Sequence, residues 1–263
     1  MDPIAPLIQS LHSQGRLRVW SLVITVFGDS VLPRGGRVST LRLQTLLGRI
    51  GIESGTLRTA LSRLARDGWV SAERAGKTSI YQLNTKGHAD FAAATNRIYA
   101  APHAAPITEW SLSSSKTVDS LPVGNLWLCP ASSTHKRADF EVRGPLTLSD
   151  ARRETLLDPE HITSLQVLFD DLDALDNITL DPLSAAAAQI LLLHRWRRIV
   201  LRFPDVPAQI LPQSFRGRDP RGCVARAYHH LAAPADTWWC SAEGDMPAMP
   251  AAYNAMAKRF GAA

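Results

Sequence analysis

The 263-residue sequence predicts an α+β protein whose helical N-terminal region ends in a basic helix and a β-hairpin and whose C-terminal third is mostly helical. Two patterns carry that expectation. From Ile50 to Gln82, IGIESGTLRTALSRLARDGWVSAERAGKTSIYQ reads as a short turn, an amphipathic helix and two short β-runs joined by a tight turn. Between Leu183 and Leu201 the run SAAAAQILLLHRWRRIV is dense in strong helix formers and has few breakers. A third observation, the confinement of positive charge to the first pattern, gives that region its chemistry.

Taken in order, the first candidate element spans about Arg16 to Phe27, RLRVWSLVITVF, a β-branched apolar run that suits either a strand or a buried helix. The residues after Phe27 decide for a helix. Gly28 closes it, and Asp29, Ser30, Pro33, Gly35 and Gly36 make a loop before Ser39, an N-cap. LRLQTLLGRI then carries Leu41, Leu43, Leu46, Leu47 and Ile50 as a second helix with a broad apolar face. Gly51 to Ser54 is a turn in which Gly51 takes positive φ and Ser54 caps the next helix. The third helix runs from about Gly55 to Asp67. Leu57, Leu61 and Leu64 recur at i, i+4 and i+7 as its inner stripe, while Thr59, Ser62, Arg63 and Arg66 project from the other side. Trp69 and Val70 open a strand, Ala75-Gly76-Lys77 is the hairpin tip, and Asn84-Thr85 caps a linker helix, KGHADFAAATNRIYA. Helices and a hairpin in this order predict a winged helix-turn-helix within residues 1–100.

The net charge of +5 becomes informative once located. Between Arg34 and Lys77 nine basic residues stand against three acidic ones, a balance of +6, so the rest of the chain sums to −1. A cationic segment on a near-neutral body is the footprint of a phosphate-binding surface; the alternative is a solvated basic face with no partner. A helix face that is small, polar and cationic suits the major groove of double-stranded DNA. Thr59, Ser62, Arg63 and Arg66 are therefore the candidates for groove contacts, and Arg58, Arg74 and Lys77 for phosphates or the minor groove.

Other classes are disfavoured. The most apolar uncharged run, Leu183 to Leu193, falls far short of the ~20 residues of a membrane span. The N-terminus lacks the features of a secretory signal, and Cys129, Cys223 and Cys240 are odd in number without metal-ligand spacing, so a cytoplasmic protein with reduced thiols is expected. No nucleophile elbow, phosphate-binding loop, zinc-protease or dinucleotide motif is present in context. The adjacent His229 and His230 point to different helix faces. Neither catalysis, a metal nor a cofactor is expected.

Several blocks together resemble one family. VITVFGD at Val23 to Asp29, GTLRTALSRLARDGWV at Gly55 to Val70, RAGKTSIYQL at Arg74 to Leu83 and RIY at Arg97 to Tyr99 look like the PaaX family of bacterial transcriptional regulators, as does LLHRWRRIVLRFPDVPAQILPQSFRG from Leu192 to Gly217. The resemblance covers about two thirds of the chain. It implies three parts: a winged helix-turn-helix with linker helix over residues 1–100, a small ferredoxin-like βαββαβ domain over 101–181, and a helical effector and dimerisation domain over 182–263. In the middle part strands are read at ITEWSL, NLWLCP and near DFEVRG, with helices near Ser149 to Leu157 and at HITSLQVLFDDLDAL. Only SSSKTVDS separates Leu112 from Leu121, so the expected arginine-rich helix there is missing and the domain is reduced or remodelled.

His194, Arg195, Trp196, Arg197, Arg198 and Arg202 are the candidate ligand site, since clustered arginines hold phosphates or a carboxylate and a tryptophan stacks on a ring. The alternative places Trp196 in the core and pairs the arginines with acids such as Asp205. The resemblance implies a homodimeric repressor of an aromatic-acid, phenylacetate-type catabolic operon, released from a pseudo-palindromic operator by an acyl-CoA thioester such as phenylacetyl-CoA. A different effector or an activator role is the nearest alternative. An acyl-CoA-binding enzyme with a vestigial winged helix, or a protein-interaction module using the hairpin, would be rivals of another class.

Overall fold

The computed structural model describes residues 2–261 except 14, 16, 77 and 134–137. Lys77, a candidate phosphate contact, lies outside the described residues. After α1 (Ala5–Ser13), helix α2 spans Val19–Val26 and buries Leu22, Val23, Ile24 and Val26, which settles the ambiguous apolar run as a helix. It does not close at Gly28. Phe27–Val31 continues as a π-helical turn and Leu32–Arg34 as a 3₁₀ turn, and Gly35, with φ of 89°, ends the segment. Gly28 answers packing instead of termination: a Cβ there would lie 1.5 Å from the Phe91 ring.

Arg37–Ser39 forms a short strand, β1, and Ser39 caps α3 (Thr40–Arg49), its Oγ accepting from the Arg42 N–H at 3.2 Å. Gly51 takes φ of 85°, as expected of the turn. Helix α4 (Ser54–Arg66) begins one residue earlier than its sequence pattern suggests, so Ser54 is its first residue and Glu53, which makes no side-chain cap, precedes it. Strands β2 (Val70–Ala75) and β3 (Thr78–Leu83) form the hairpin, and β1 adds to β3 to give an antiparallel sheet in the order β1-β3-β2. Helix α5 (Thr85–Ile98) leads away from it.

The middle of the chain carries β4 (Trp110–Ser113), β5 (Leu121–Val123), β6 (Leu126–Pro130) and β7 (Glu141–Gly144), antiparallel in the order β5-β6-β4-β7. Residues 114–120 between β4 and β5 hold turns and no helix. Strand β5 has no counterpart among the strands expected from sequence, because LPV is too short and too lightly patterned to register. Helix α6 (Asp150–Leu156), capped by Ser149, packs on β5.

Helices α7 (Pro159–Ala174), α8 (Pro182–Arg202), α9 (Pro220–Cys240) and α10 (Tyr253–Ala257) complete the chain. The two long helices α8 and α9 each start on an Asp cap followed by proline, so the missing proline N–H falls where no partner is needed. Helix α8 is buried along most of its length and touches α1, α2, α3, α5, α7 and α9. The core is therefore one body around α8, joining residues from the first and last parts of the chain. Helix α7 packs on α1, α8 and α9 and belongs to this body, with His161 stacked on Phe203 at 4.4 Å.

Candidate nucleic-acid interface

Helix α4 places Leu57, Ala60, Leu61 and Leu64 in the core and leaves Arg58, Thr59, Ser62, Arg63 and Arg66 exposed, so the five helix residues singled out from sequence share its outer side. The Thr59 hydroxyl donates to the Gly55 carbonyl at 3.1 Å, a back-bond available to exposed helical threonines. Arg63 Nε sits 3.5 Å from an Asp67 carboxylate oxygen and its guanidinium lies 5.2 Å from the Trp20 ring centre. Arg66 reaches the same carboxylate at 3.7 Å and is 77% exposed. At the hairpin Arg74 Nε donates to the Gly76 carbonyl at 3.4 Å, and beside it Arg37 pairs with Glu73 at 2.7 Å.

The charge balance read from sequence overstates this surface. Arg34 is fully buried, pairs with Asp236 and donates to the Ser30 carbonyl at 2.8 Å. Arg42 is fully buried too; its guanidinium donates to the carbonyls of Trp238 (2.8 Å), Ser241 (2.5 Å) and Pro247 (2.7 Å) and lies 4.9 Å from the Trp238 ring centre. Arg49 pairs with Asp2 and donates to Ser184 Oγ at 3.1 Å. Three of the nine cations thus hold the N-terminal helices against the rest of the molecule, because charge counted along a sequence carries no direction. Conversely, Arg18 and Trp20 at the start of α2 face α4 across an open groove of about 850 Å³ lined also by Thr56, Thr59 and Arg63. Neither residue was singled out from sequence, since nothing in local spacing ties residue 20 to residue 63.

The six residues of the candidate ligand cluster do not all meet in one site: Arg195, Arg198 and Arg202 line a small concavity of about 60 Å³, while the others turn elsewhere. His194 is buried with Nδ1 at 3.1 Å from Thr25 Oγ1, and burial, aided by Arg197, Arg198 and Arg195, lowers its pKa to about 3. Arg195 pairs with Asp171 and donates to Ser10 Oγ at 2.8 Å. Trp196 is core and donates Nε1 to the Ile98 carbonyl at 2.8 Å. Arg197 points toward Ser21 and Thr25 on α2, Arg198 is exposed, and Arg202 pairs with Glu160. Because α8 is surrounded, consecutive side chains meet different neighbours. Asp205, named as an acid for this cluster, pairs with Arg221 instead at 2.9 Å.

A concave site with suitable chemistry lies nearby. A cleft of about 530 Å³ opens between the β4–β5 turn, β6, α7 and the end of α8, lined by Arg97, Lys116, Trp127, His161, Arg202 and Phe203 among others. The Lys116 ammonium sits 4.8 Å from the Trp127 ring centre. Burial lowers the pKa of His161 to about 4, so the wall it forms with Phe203 is neutral at physiological pH. Of the six cluster residues Arg202 alone lines this cleft.

A helix pair and hairpin are joined to a helical body, and the arginine-bearing helix α4 stands exposed beside the hairpin, an arrangement of the kind DNA-binding regulators use. Comparison with known proteins makes this specific. Residues 18–87 match the profile of the PaaX-like protein family and residues 159–241 that of the PaaX-like protein C-terminal domain. The chain is 30% identical to the transcriptional repressor PaaX of Escherichia coli (strain K12), covering 92% of this chain and 89% of that protein. The chain belongs to the PaaX family of transcriptional regulators, not to an enzyme family. An uncharacterized protein from Mycobacterium tuberculosis overlays at 17% identity with a TM-score of 0.40, covering 73% of this chain and 86% of that one, too low a score to bear on the fold.

Proposed function

We propose that the protein is a DNA-binding transcriptional repressor of a phenylacetate-type catabolic operon, with α2 to β3 acting as a winged helix-turn-helix and α4 as its recognition helix. The observation that carries this is the outer side of α4, where Arg58, Thr59, Ser62, Arg63 and Arg66 stand exposed together while the opposite stripe is core. The order of α3, turn, α4 and hairpin supports it, with Arg74 and Lys77 as wing contacts. Arg63→Ala is expected to cost on the order of 1–3 kcal/mol of operator binding, and wild-type affinity is expected to fall steeply with salt. A gel-shift titration in which the variant binds operator DNA as tightly as the wild type would remove α4 from the reading.

The remainder divides best at Asp158: a central module carrying β4 to β7 and α6, then a helical region from α7 onward that shares its core with α8. The strand order β5-β6-β4-β7 is that of a ferredoxin-like sheet, which supports a module of ferredoxin-like strand order whose crossover helices are lacking among the described residues, since β6 runs to β7 without a helix and α6 follows β7. Effector binding is assigned to the cleft bordered by Lys116, Trp127 and Arg202. Its volume suits an aryl thioester arm, its cations suit phosphates, and Trp127 offers a stacking face. Phenylacetyl-CoA is expected to raise the melting temperature and Trp127→Ala to abolish the rise.

The same sheet supports a homodimer. Leu121, Leu128, Leu112 and Val142 are cross-strand neighbours in one row, buried at Leu121 and Leu128 but 53% exposed at Val142 on edge strand β7. Antiparallel pairing of two β7 strands about Val142 would continue this row and set Glu141 of each copy opposite Arg143 of the other.

A further inference from the structure

The outer side of α4 carries three arginines, and they are not equivalent. Arg58 has no side-chain partner among the described residues, and Arg66 touches only the Asp67 carboxylate. Arg63 is held from two directions. Its Nε lies 3.5 Å from Asp67 Oδ2 one helical turn on, and its guanidinium carbon lies over the half-buried Trp20 ring, contributed by α2, 5.2 Å from the ring centre. Nη1 and Nη2 of Arg63 make no hydrogen bond among the described residues, although the side chain is 53% exposed. A guanidinium with a carboxylate beside Nε and an indole ring beside Cζ keeps its Nη groups for an external acceptor, and these can engage guanine O6 and N7.

We propose that Trp20 is a positioning residue for sequence reading, bracing Arg63 so that this arginine, and not Arg58 or Arg66, is the one that discriminates bases. This role rests on the DNA-binding reading of α4 and adds the start of α2 to the interface. An arginine that is already ordered loses less rotamer freedom on docking, and the gain falls only where its geometry is used, on specific sites. Phosphate contacts by Arg58 and Arg66 need no such bracing, because they read no sequence.

The test uses the full-length chain and a duplex that it enriches from a randomised pool, with unrelated duplex as competitor at fixed salt. Trp20→Leu is expected to lower the ratio of enriched to competitor affinity by roughly two- to five-fold. Trp20→Phe, which keeps an aromatic face, is expected to recover most of the loss, and Trp20→Leu in an Arg63→Ala background to add nothing. The slope of log affinity against log salt is unchanged by Trp20→Leu and reduced by Arg58→Ala. Melting temperatures within a degree or two of one another exclude a folding effect, and the upfield ring-current shift of the Arg63 side-chain N–H disappears in Trp20→Leu without DNA present. Equal loss on both duplexes, or additive losses with Arg63→Ala, overturns the role of Trp20. Failure of the wild type to enrich any duplex overturns the DNA-binding reading itself, and with it the role of Trp20.

Discussion

Gly28 shows how much one residue can mean something different in the fold than in the string. Its position after an apolar run reads as a helix stop, yet the helix passes through it and the missing side chain admits Phe91 from α5. Gly28→Ala is expected to destabilise the protein by about 1–3 kcal/mol through overpacking, and Phe91→Leu to restore part of that, measured by denaturant midpoint; an Ala variant as stable as the wild type would show that the ring moves aside freely. Next to it Asp29 is buried, paired with Arg259 and accepting from the Tyr99 and Tyr228 hydroxyls at 2.8 and 3.0 Å. Asp29, Arg34 and Arg42 looked like loop and surface charges because their partners lie some two hundred positions away. Arg63, by contrast, was legible: helical period alone separates it from the leucine stripe.

At the level of elements, those with strong local signals were readable. The amphipathic α3 and α4, the hairpin and the alanine-rich α8 carry 3.6- or 2-residue patterns long enough to count. Strands β1 and β5, each three residues, do not, and they exist because a neighbouring strand supplies their hydrogen bonds. Strand β7 makes its own prediction. Val142→Lys places like charges opposite each other across the proposed two-fold axis, so sedimentation is expected to show a dimer for the wild type and a monomer for the variant. A variant that sediments with the wild type would move the dimer interface elsewhere.

For the whole molecule, the continuous core around α8 predicts that a fragment of residues 1–100 lacks a cooperative thermal transition, because α2, α3 and α5 each bury a face against that helix. A sharp transition in the fragment would show the N-terminal unit to be autonomous. The same burial makes stability depend on pH. His194 and His161 have pKa values lowered to about 3 and about 4, so below pH ~6.5 the unfolded chain binds protons that the folded one refuses. Their contribution is complete above pH ~6.5 and is lost progressively as pH falls through about 4 for His161 and about 3 for His194, and His161→Phe should flatten the dependence of melting temperature between about pH 6.5 and 4. The class was legible from local pattern: the period of the leucines, the hairpin and the family blocks point to a regulator with α4 facing outward, because such pattern encodes which side of an element meets solvent. Which cations face outward, where the residues of the LLHRWRR helix point, and the meeting of Trp20 with Arg63 became visible only in the folded molecule. Those arrangements depend on which distant segments pack together, and a side chain's direction is set by its neighbours in space.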